Sequence, residues 1–263
     1  MTALLRTEGV SKAFGGVQAL SDCTIEVARG SIAGLIGPNG SGKTTLFNVI
    51  TGYERVDAGQ VYLEDRQITN APPDKVFASG IGRTFQLTRV FPRLTVMENM
   101  IVAAQHKERA HGHRSGGLRN PFARAGGPAT RRRATELLEF TGIANHSAAL
   151  ADTLSYGQRK LLELSYVLMA DPAIVLLDEP AGGVNPTLIT MIADRIRQLN
   201  SQGTTFLIVE HNMDFVMGLC DQVTVLDYGT AVVTGPPDVI RSDHRVLDAY
   251  LGTAEEDDDI PAA

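Results

Sequence analysis

Apolar and polar positions alternate in three short stretches at the start of the chain, Leu4 to Val10, Asp22 to Val27 and Ser31 to Ile36. Successive side chains of a strand point to opposite faces, so this period predicts strands, with turns at Gly15-Gly16 and Arg29-Gly30. From Thr44 to Ile50 the spacing becomes helical and stops at Gly52; Val61 to Leu63 and Ile81 to Phe85 then read as strands. Between about Thr88 and Thr153 the texture is helical, with helices predicted over Val96 to Gln105 and Arg131 to Thr141. Beyond Thr153 the chain returns to α/β alternation. A helix from Gly157 to Met169 leads to a strand from Ile174 to Leu177. A second helix, with Leu188, Ile189, Ile192, Ile196 and Leu199 on one face, leads to a strand from Thr205 to Val209. This repetition predicts parallel strands joined by right-handed crossovers. Near the end, Val223 to Leu226 and Ala231 to Val233 flank Asp227-Tyr228-Gly229-Thr230, a hairpin turn in which glycine supplies positive φ.

Composition narrows the class. The 263 residues suffice for one large α/β domain, or a core domain carrying a smaller subdomain. No apolar run approaches the roughly 18 residues that cross a bilayer, and MTALLRTEGV lacks the basic-then-apolar pattern of a signal peptide. The expectation is a cytoplasmic protein that would serve a membrane only through a partner. Cys23 and Cys220 have no His or Cys at metal-ligand spacing and read as small buried apolar residues. Glu255 to Asp259 supply five of the net −6 charges, so the body is nearly neutral and no basic field argues for nucleic acid. These acids predict a disordered tail over 254–263. Between His106 and Arg133 eight Lys or Arg face one acid, Glu108, among five glycines, which predicts a mobile basic excursion. Such a segment suits either anionic lipid headgroups or plain solvation.

Three motifs carry chemistry. In GPNGSGKT the glycines Gly37, Gly40 and Gly42 let backbone N–H groups curl around phosphate oxygens, with Pro38, Asn39 and Ser41 completing the loop. The following helix, opening at Thr44 and Thr45, presents its N-terminus to the same charge; Lys43 reaches the β and γ phosphates and the Thr44 hydroxyl ligates Mg²⁺. The apolar strand IVLL delivers Asp178 and Glu179 to its carboxyl end, where the phosphoryl-transfer template makes Asp178 a Mg²⁺ residue acting through water and Glu179 the group that polarises the attacking water. Ahead of that strand, LSYGQ runs from Leu154 to Gln158.

The set resembles the ATP-binding-cassette (ABC) ATPases over about residues 4 to 252. The resemblance implies an α/β cassette with a mixed-sheet core, an antiparallel β subdomain and a helical subdomain. The domain spans 1–253: the core with the antiparallel subdomain covers 1–87 and 154–253, and the helical subdomain covers 88–153 with the basic insert 106–133. It also implies ATP and Mg²⁺ as ligands, Gln86 as the glutamine that touches Mg²⁺ and the lytic water, and His211 as the histidine that contacts the γ phosphate. Phe14 matches the aromatic that stacks on adenine, with an ordinary core Phe as the competing reading. Ser155, Gly157 and Gln158 belong to the signature turn, which in this family reaches across a head-to-tail dimer to the ATP held by a partner. The chain is thereby expected to be half of an active site, paired with a homologous ATPase or a second copy.

Two departures narrow the family further: Tyr156 stands where glycine is usual, and Asn185 in AGGVNP where the general pattern has Asp. With the insert and the ending Ala249-Tyr250-Leu251-Gly252, they are similar to the first ATPase subunit of bacterial branched-chain amino acid importers. ATPases of urea and short-chain amide importers share these traits, and those of lipopolysaccharide exporters fewer. The resemblance implies two membrane permease subunits, docked through the region around Gln86 to Val102, a solute-binding protein in the full system, and a peripheral place on the cytoplasmic face of the membrane. A repair or translation ATPase of the family and a P-loop kinase fit less well. Only 68 residues separate Gln86 from Leu154 without sustained heptads, and a kinase has no use for LSYGQ.

Overall fold

A computed structural model of the chain describes residues 2–86, 88–110 and 126–246, the side chains of 105–110 excepted. It divides into two compact units, Met1–Pro73 with the chain from Thr205 onward, and Asp74–Thr204.

In the first unit, β1 (Ala3–Phe14), β2 (Val17–Ala28), β4 (Ala58–Leu63) and β5 (Arg66–Gln67) form an antiparallel sheet in the order β2-β1-β4-β5. Leu5 lies opposite Val27 on one side and Leu63 on the other. Both long strands outrun the alternation that predicts them, because register shifts between Thr7 and Val10 and again up to Ala13 break the period of two. A second, mixed sheet is centred on β3 (Ile32–Ile36), which pairs in parallel with β8 (Thr205–Val209) and β9 (Gln222–Asp227); β10 (Thr230–Gly235) closes it antiparallel to β9. Every residue of β3 and β8 is buried, as a parallel strand covered on both faces requires. The β9–β10 turn carries two left-handed residues, Tyr228 at φ 41° and Gly229 at φ 78°. Two left-handed residues give the strands the twist of a tight hairpin, so glycine alone does not make this turn.

Helix α1 (Lys43–Ile50) follows β3, and α7 (Met213–Leu219) and α8 (Pro237–Ser242) complete this unit. Cys23 and Cys220 are both buried in it, where loss of hydration pushes each thiol up to about 12.

The second unit contains α2 (Pro73–Ala78) and a parallel pair, β6 (Ile81–Arg83) and β7 (Ile174–Asp178), in register from Ile81 opposite Ile174. β6 ends two residues before the predicted Phe85. The ladder makes one more bond, Thr84 N–H to Leu176 O at 2.9 Å, before the chain turns away. Helices α3 (Val96–Ala110), α4 (Pro128–Thr141) and α5 (Tyr156–Leu168) pack together. Helix α4 buries Ala134, Leu137, Leu138 and Thr141, the i, i+3, i+4, i+7 pattern of one apolar face, and leaves its arginines outside, where Arg133 pairs with Asp171 at 2.9 Å. The expectation of a mobile excursion over 106–133 is therefore corrected at both ends. The helices run on to Ala110 and resume at Pro128, while the middle of the insert, the acidic tail and the Ala249–Gly252 ending lie outside the described residues. Among the described residues no helix is long and apolar enough to cross a membrane.

Helix α6 (Pro186–Ser201) begins at Asn185, whose side-chain oxygen accepts the Leu188 N–H at 2.9 Å. Its carboxamide oxygen is thus engaged within the chain as an N-cap. Asn185→Ala should lower the unfolding free energy by about 1 kcal/mol, as loss of such a cap does, while Asn185→Asp should retain stability. A denaturant melt of the three proteins checks the order.

Candidate functional site

The phosphate loop lies in the first unit. A Cβ on Gly37 would stand 2.0 Å from the Leu226 carbonyl oxygen, and one on Gly42 2.4 Å from that of Ala19, so both glycines are required by close backbone approach. The loop is fastened further by Gly229 N–H to Ser41 O at 3.0 Å. Gly42, in the left-handed region at φ 100°, caps α1 without any side-chain acceptor, which leaves the helix N-terminus as a cradle of N–H groups suited to an anion. Lys43 folds over this cradle and donates to Gly37 O at 2.8 Å and Pro38 O at 2.7 Å. Thr44 and Thr45 lie in the first turn of α1.

Two further predicted residues belong to the same unit. Phe14 ends β1 and is 44% exposed, which removes the core alternative for it and leaves a ring face for a flat ligand. Lys12 Nζ stands 5.1 Å from that ring and 3.4 Å from Asp57, whose carboxylate also accepts the Ala13 N–H at 2.7 Å. This backbone bond above all, with Lys12, holds the Asp57 carboxyl below its usual value. His211 follows β8 on an exposed turn. The turn is held by Glu210, fully buried, whose carboxylate accepts the N–H groups of His211 and Asn212 at 3.1 and 3.2 Å.

The second unit gathers the rest. β7 delivers Asp178 to its end, 7% exposed, where Arg83 donates to its carboxylate at 3.0 Å. This buried ion pair was not anticipated from sequence. Glu179, left-handed at φ 49°, points its carboxylate at Gln86, whose Nε2 donates to Oε2 at 3.0 Å. Two predicted catalytic residues, 93 positions apart in the chain, are thus brought together. Lys160 of α5, itself buried, donates to the Glu179 carbonyl oxygen at 2.5 Å.

Sequence reasoning also missed Glu163, one turn further along α5. It is 4% exposed and accepts the backbone N–H groups of Phe85 and Arg89, each at 3.1 Å. Burial pushes its carboxyl up to about 7 against the opposing pull of those amides, Lys160 and Arg89. A single acid inside the apolar run LLELS was the available signal.

The signature turn is a capping box. Ser155 Oγ accepts the Gln158 N–H at 3.2 Å, and Gln158 Oε1 accepts the Ser155 N–H at 2.9 Å. Gln158 also joins His146 at 3.0 Å. A Cβ on Gly157 would meet Leu188 of α6 at 2.2 Å, so this glycine is fixed by packing as well as by any role toward a ligand.

A glycine cradle with a lysine over it in one unit, and an acid pair with a glutamine at a strand end in the other, define a P-loop nucleotide-binding cassette. The chain belongs to the ABC transporter family: the family's model matches residues 20–182, and that of the branched-chain amino acid ATP-binding cassette transporter matches residues 232–256. It is accordingly an ATPase of the cassette type. It is 40% identical over 253 residues to the high-affinity branched-chain amino acid transport ATP-binding protein LivG of Escherichia coli (strain K12), covering 95% of this chain and 98% of that protein. It is 34% identical over 252 residues to BraF of Pseudomonas aeruginosa, of the same description, covering 95% and 98%. The fold is similar to that of a crystal structure of the ADP conformation of an ATP-binding cassette of an ABC transporter, with a TM-score of 0.82, 34% identity and coverage of 96% of this chain and all of the other.

Because the fold raises the Glu163 carboxyl from 4.5 to about 7, the folded state holds this proton more tightly than the unfolded state does. The resulting stabilisation is full below pH 4.5 and is lost as pH rises through 7. Glu163→Gln, which does not titrate, should therefore lose less thermal stability between pH 5 and pH 8 than the natural chain. Melts at the two pH values check this, and equal losses in both proteins would refute it.

Proposed function

We propose that this chain is the ATP-hydrolysing subunit of an ABC importer for branched-chain amino acids. It would pair with a homologous ATPase or a second copy and dock at the cytoplasmic face of the membrane onto two permease subunits served by a solute-binding protein. The observation that carries the hydrolytic part is the Gln86–Glu179 hydrogen bond, a carboxylate and a carboxamide aimed at each other as a water-handling pair. The transported class rests on the likeness to LivG and BraF.

In this reading Phe14 stacks on the adenine and the N–H groups from Gly37 to Thr45 hold the phosphates. Lys43 exchanges the carbonyls of Gly37 and Pro38 for phosphate oxygens, so that its ammonium meets a charged acceptor in place of neutral ones. Glu179 orients and polarises the attacking water with Gln86, and His211 contacts the γ phosphate. The donors suit Mg²⁺, which takes one or two protein oxygens besides phosphate and water. Thr44, Gln86 and Asp178 would hold it, Asp178 through water, since its ion pair with Arg83 engages only part of a carboxylate with about four acceptor positions. When bound, Mg²⁺ supplies charge neutralisation at the phosphates. Ser155, Gly157 and Gln158 present the N-terminal end of α5 to the nucleotide of the partner. The segment 88–153, around the packed helices α3 and α4, serves as the helical subdomain.

Glu179→Gln should retain ATP binding, lose steady-state hydrolysis and lengthen the life of the ATP-bound dimer. Reconstituted with its permeases and binding protein, the natural chain should hydrolyse ATP faster with leucine than with urea. Size-exclusion chromatography and phosphate release check both; near-normal turnover of the variant removes Glu179 from its role, and stimulation by urea alone moves the substrate to the amide class.

A further inference from the structure

Tyr156, Lys160 and Glu163 follow one another along α5 at spacings of four and three and so share one helix face. Each reaches backbone of a loop bearing a proposed catalytic residue. The Tyr156 hydroxyl donates to Gln86 O at 3.4 Å, Lys160 to Glu179 O, and Glu163 accepts from Phe85 and Arg89. Phe85 and Arg89 bracket Gln86, so one carboxylate oxygen grips the loop on both sides of it. Beside this grip lies a cavity of about 20 Å³ lined by Thr84, Phe85, Lys160, Glu163, Asp178 and Pro180, room for about one water. The cavity leaves room for a water against Thr84 and Phe85 at the start of the loop, while Arg89 stacks on the Phe85 ring at 4.0 Å.

We propose that Glu163 is the positioning residue of the Gln86 loop. It sets where the Gln86 carboxamide stands against Glu179, and it makes the loop move with α5, the helix that opens at Ser155. Above about pH 7, where Glu163 is ionised, its carboxylate is suited to this because it is an acceptor that can take two donors at one oxygen, and charge-assisted bonds are about twice as strong as neutral ones. Burying that carboxylate is otherwise unfavourable, and a neutral side chain would pack here at lower cost. The proposal rests on the reading of Gln86 as the residue that handles the lytic water.

The test uses the full-length chain with Glu163→Ala, Glu163→Gln and, as reference, Gln86→Ala. Hydrogen exchange of individual amides, ATP affinity and kcat are measured for each. In Glu163→Ala the Phe85 and Arg89 amides should exchange at least about tenfold faster while those of β7 keep their protection, as for a local opening. Its kcat should fall about tenfold or more with ATP affinity within about twofold, the mark of misplaced catalytic groups rather than lost binding. Glu163→Gln, which keeps an acceptor oxygen, should restore most of the rate, with exchange between that of the natural chain and the Ala variant. Unchanged protection at Phe85 and Arg89, or kcat and ATP affinity falling together, overturns the proposal. Should the Ala variant fail to fold, exchange in Glu163→Gln decides alone, and protection equal to the natural chain refutes the anchor. If Gln86→Ala turns over ATP normally, the reading of Gln86 fails, whereas the exchange result still judges the anchor.

Discussion

A charge taken out of water must be answered by hydrogen bonds or an opposite charge, or the fold does not tolerate it. The loops proposed to carry the chemistry are built on that constraint. Asp178 is answered by Arg83, Lys160 by the carbonyl of Glu179, Glu163 by the amides of Phe85 and Arg89, and Glu210 by those of His211 and Asn212. In the last three pairs the answering group is loop backbone. Satisfying a buried side chain and fixing a proposed catalytic loop are then the same act.

The phosphate loop is held by the opposite device. It carries no buried charge of its own and is shaped by exclusion: the backbone of Leu226 and Ala19 comes so close to Gly37 and Gly42 that no side chain fits. What remains is a rigid ring of donors with Lys43 parked on its carbonyls. In the proposed nucleotide site a phosphate oxygen would offer Lys43 a charged acceptor in place of these neutral ones.

Most of this was legible in the sequence where chemistry or period left no choice. The apolar runs of β3, β7 and β8 and the spacing of Gly37, Gly40 and Gly42 lead directly to buried parallel strands and a tight glycine loop before α1. The β1 and β2 ends were obscured because bulges interrupt their alternation. The helical ends of the basic insert were obscured because arginine and glycine composition outweighs a short apolar face such as Ala134, Leu137, Leu138 and Thr141. Asn185 showed its departure from the family pattern but not its capping bond. Glu163 and Arg83 were missed because their meaning lies in partners many positions away, Phe85 and Arg89 for one and Asp178 for the other.

The central claim is that the polar face of α5 holds the catalytic loops in place without taking part in nucleotide binding. Lys160→Met tests it most directly, because the variant keeps the length and packing of the side chain and removes its donor to the Glu179 carbonyl, together with its charge beside Glu163 and the Tyr156 ring. Measured at saturating ATP, kcat should fall by about tenfold or more while nucleotide affinity stays within about twofold. An unchanged kcat, or an affinity that falls in step with it, would contradict the account.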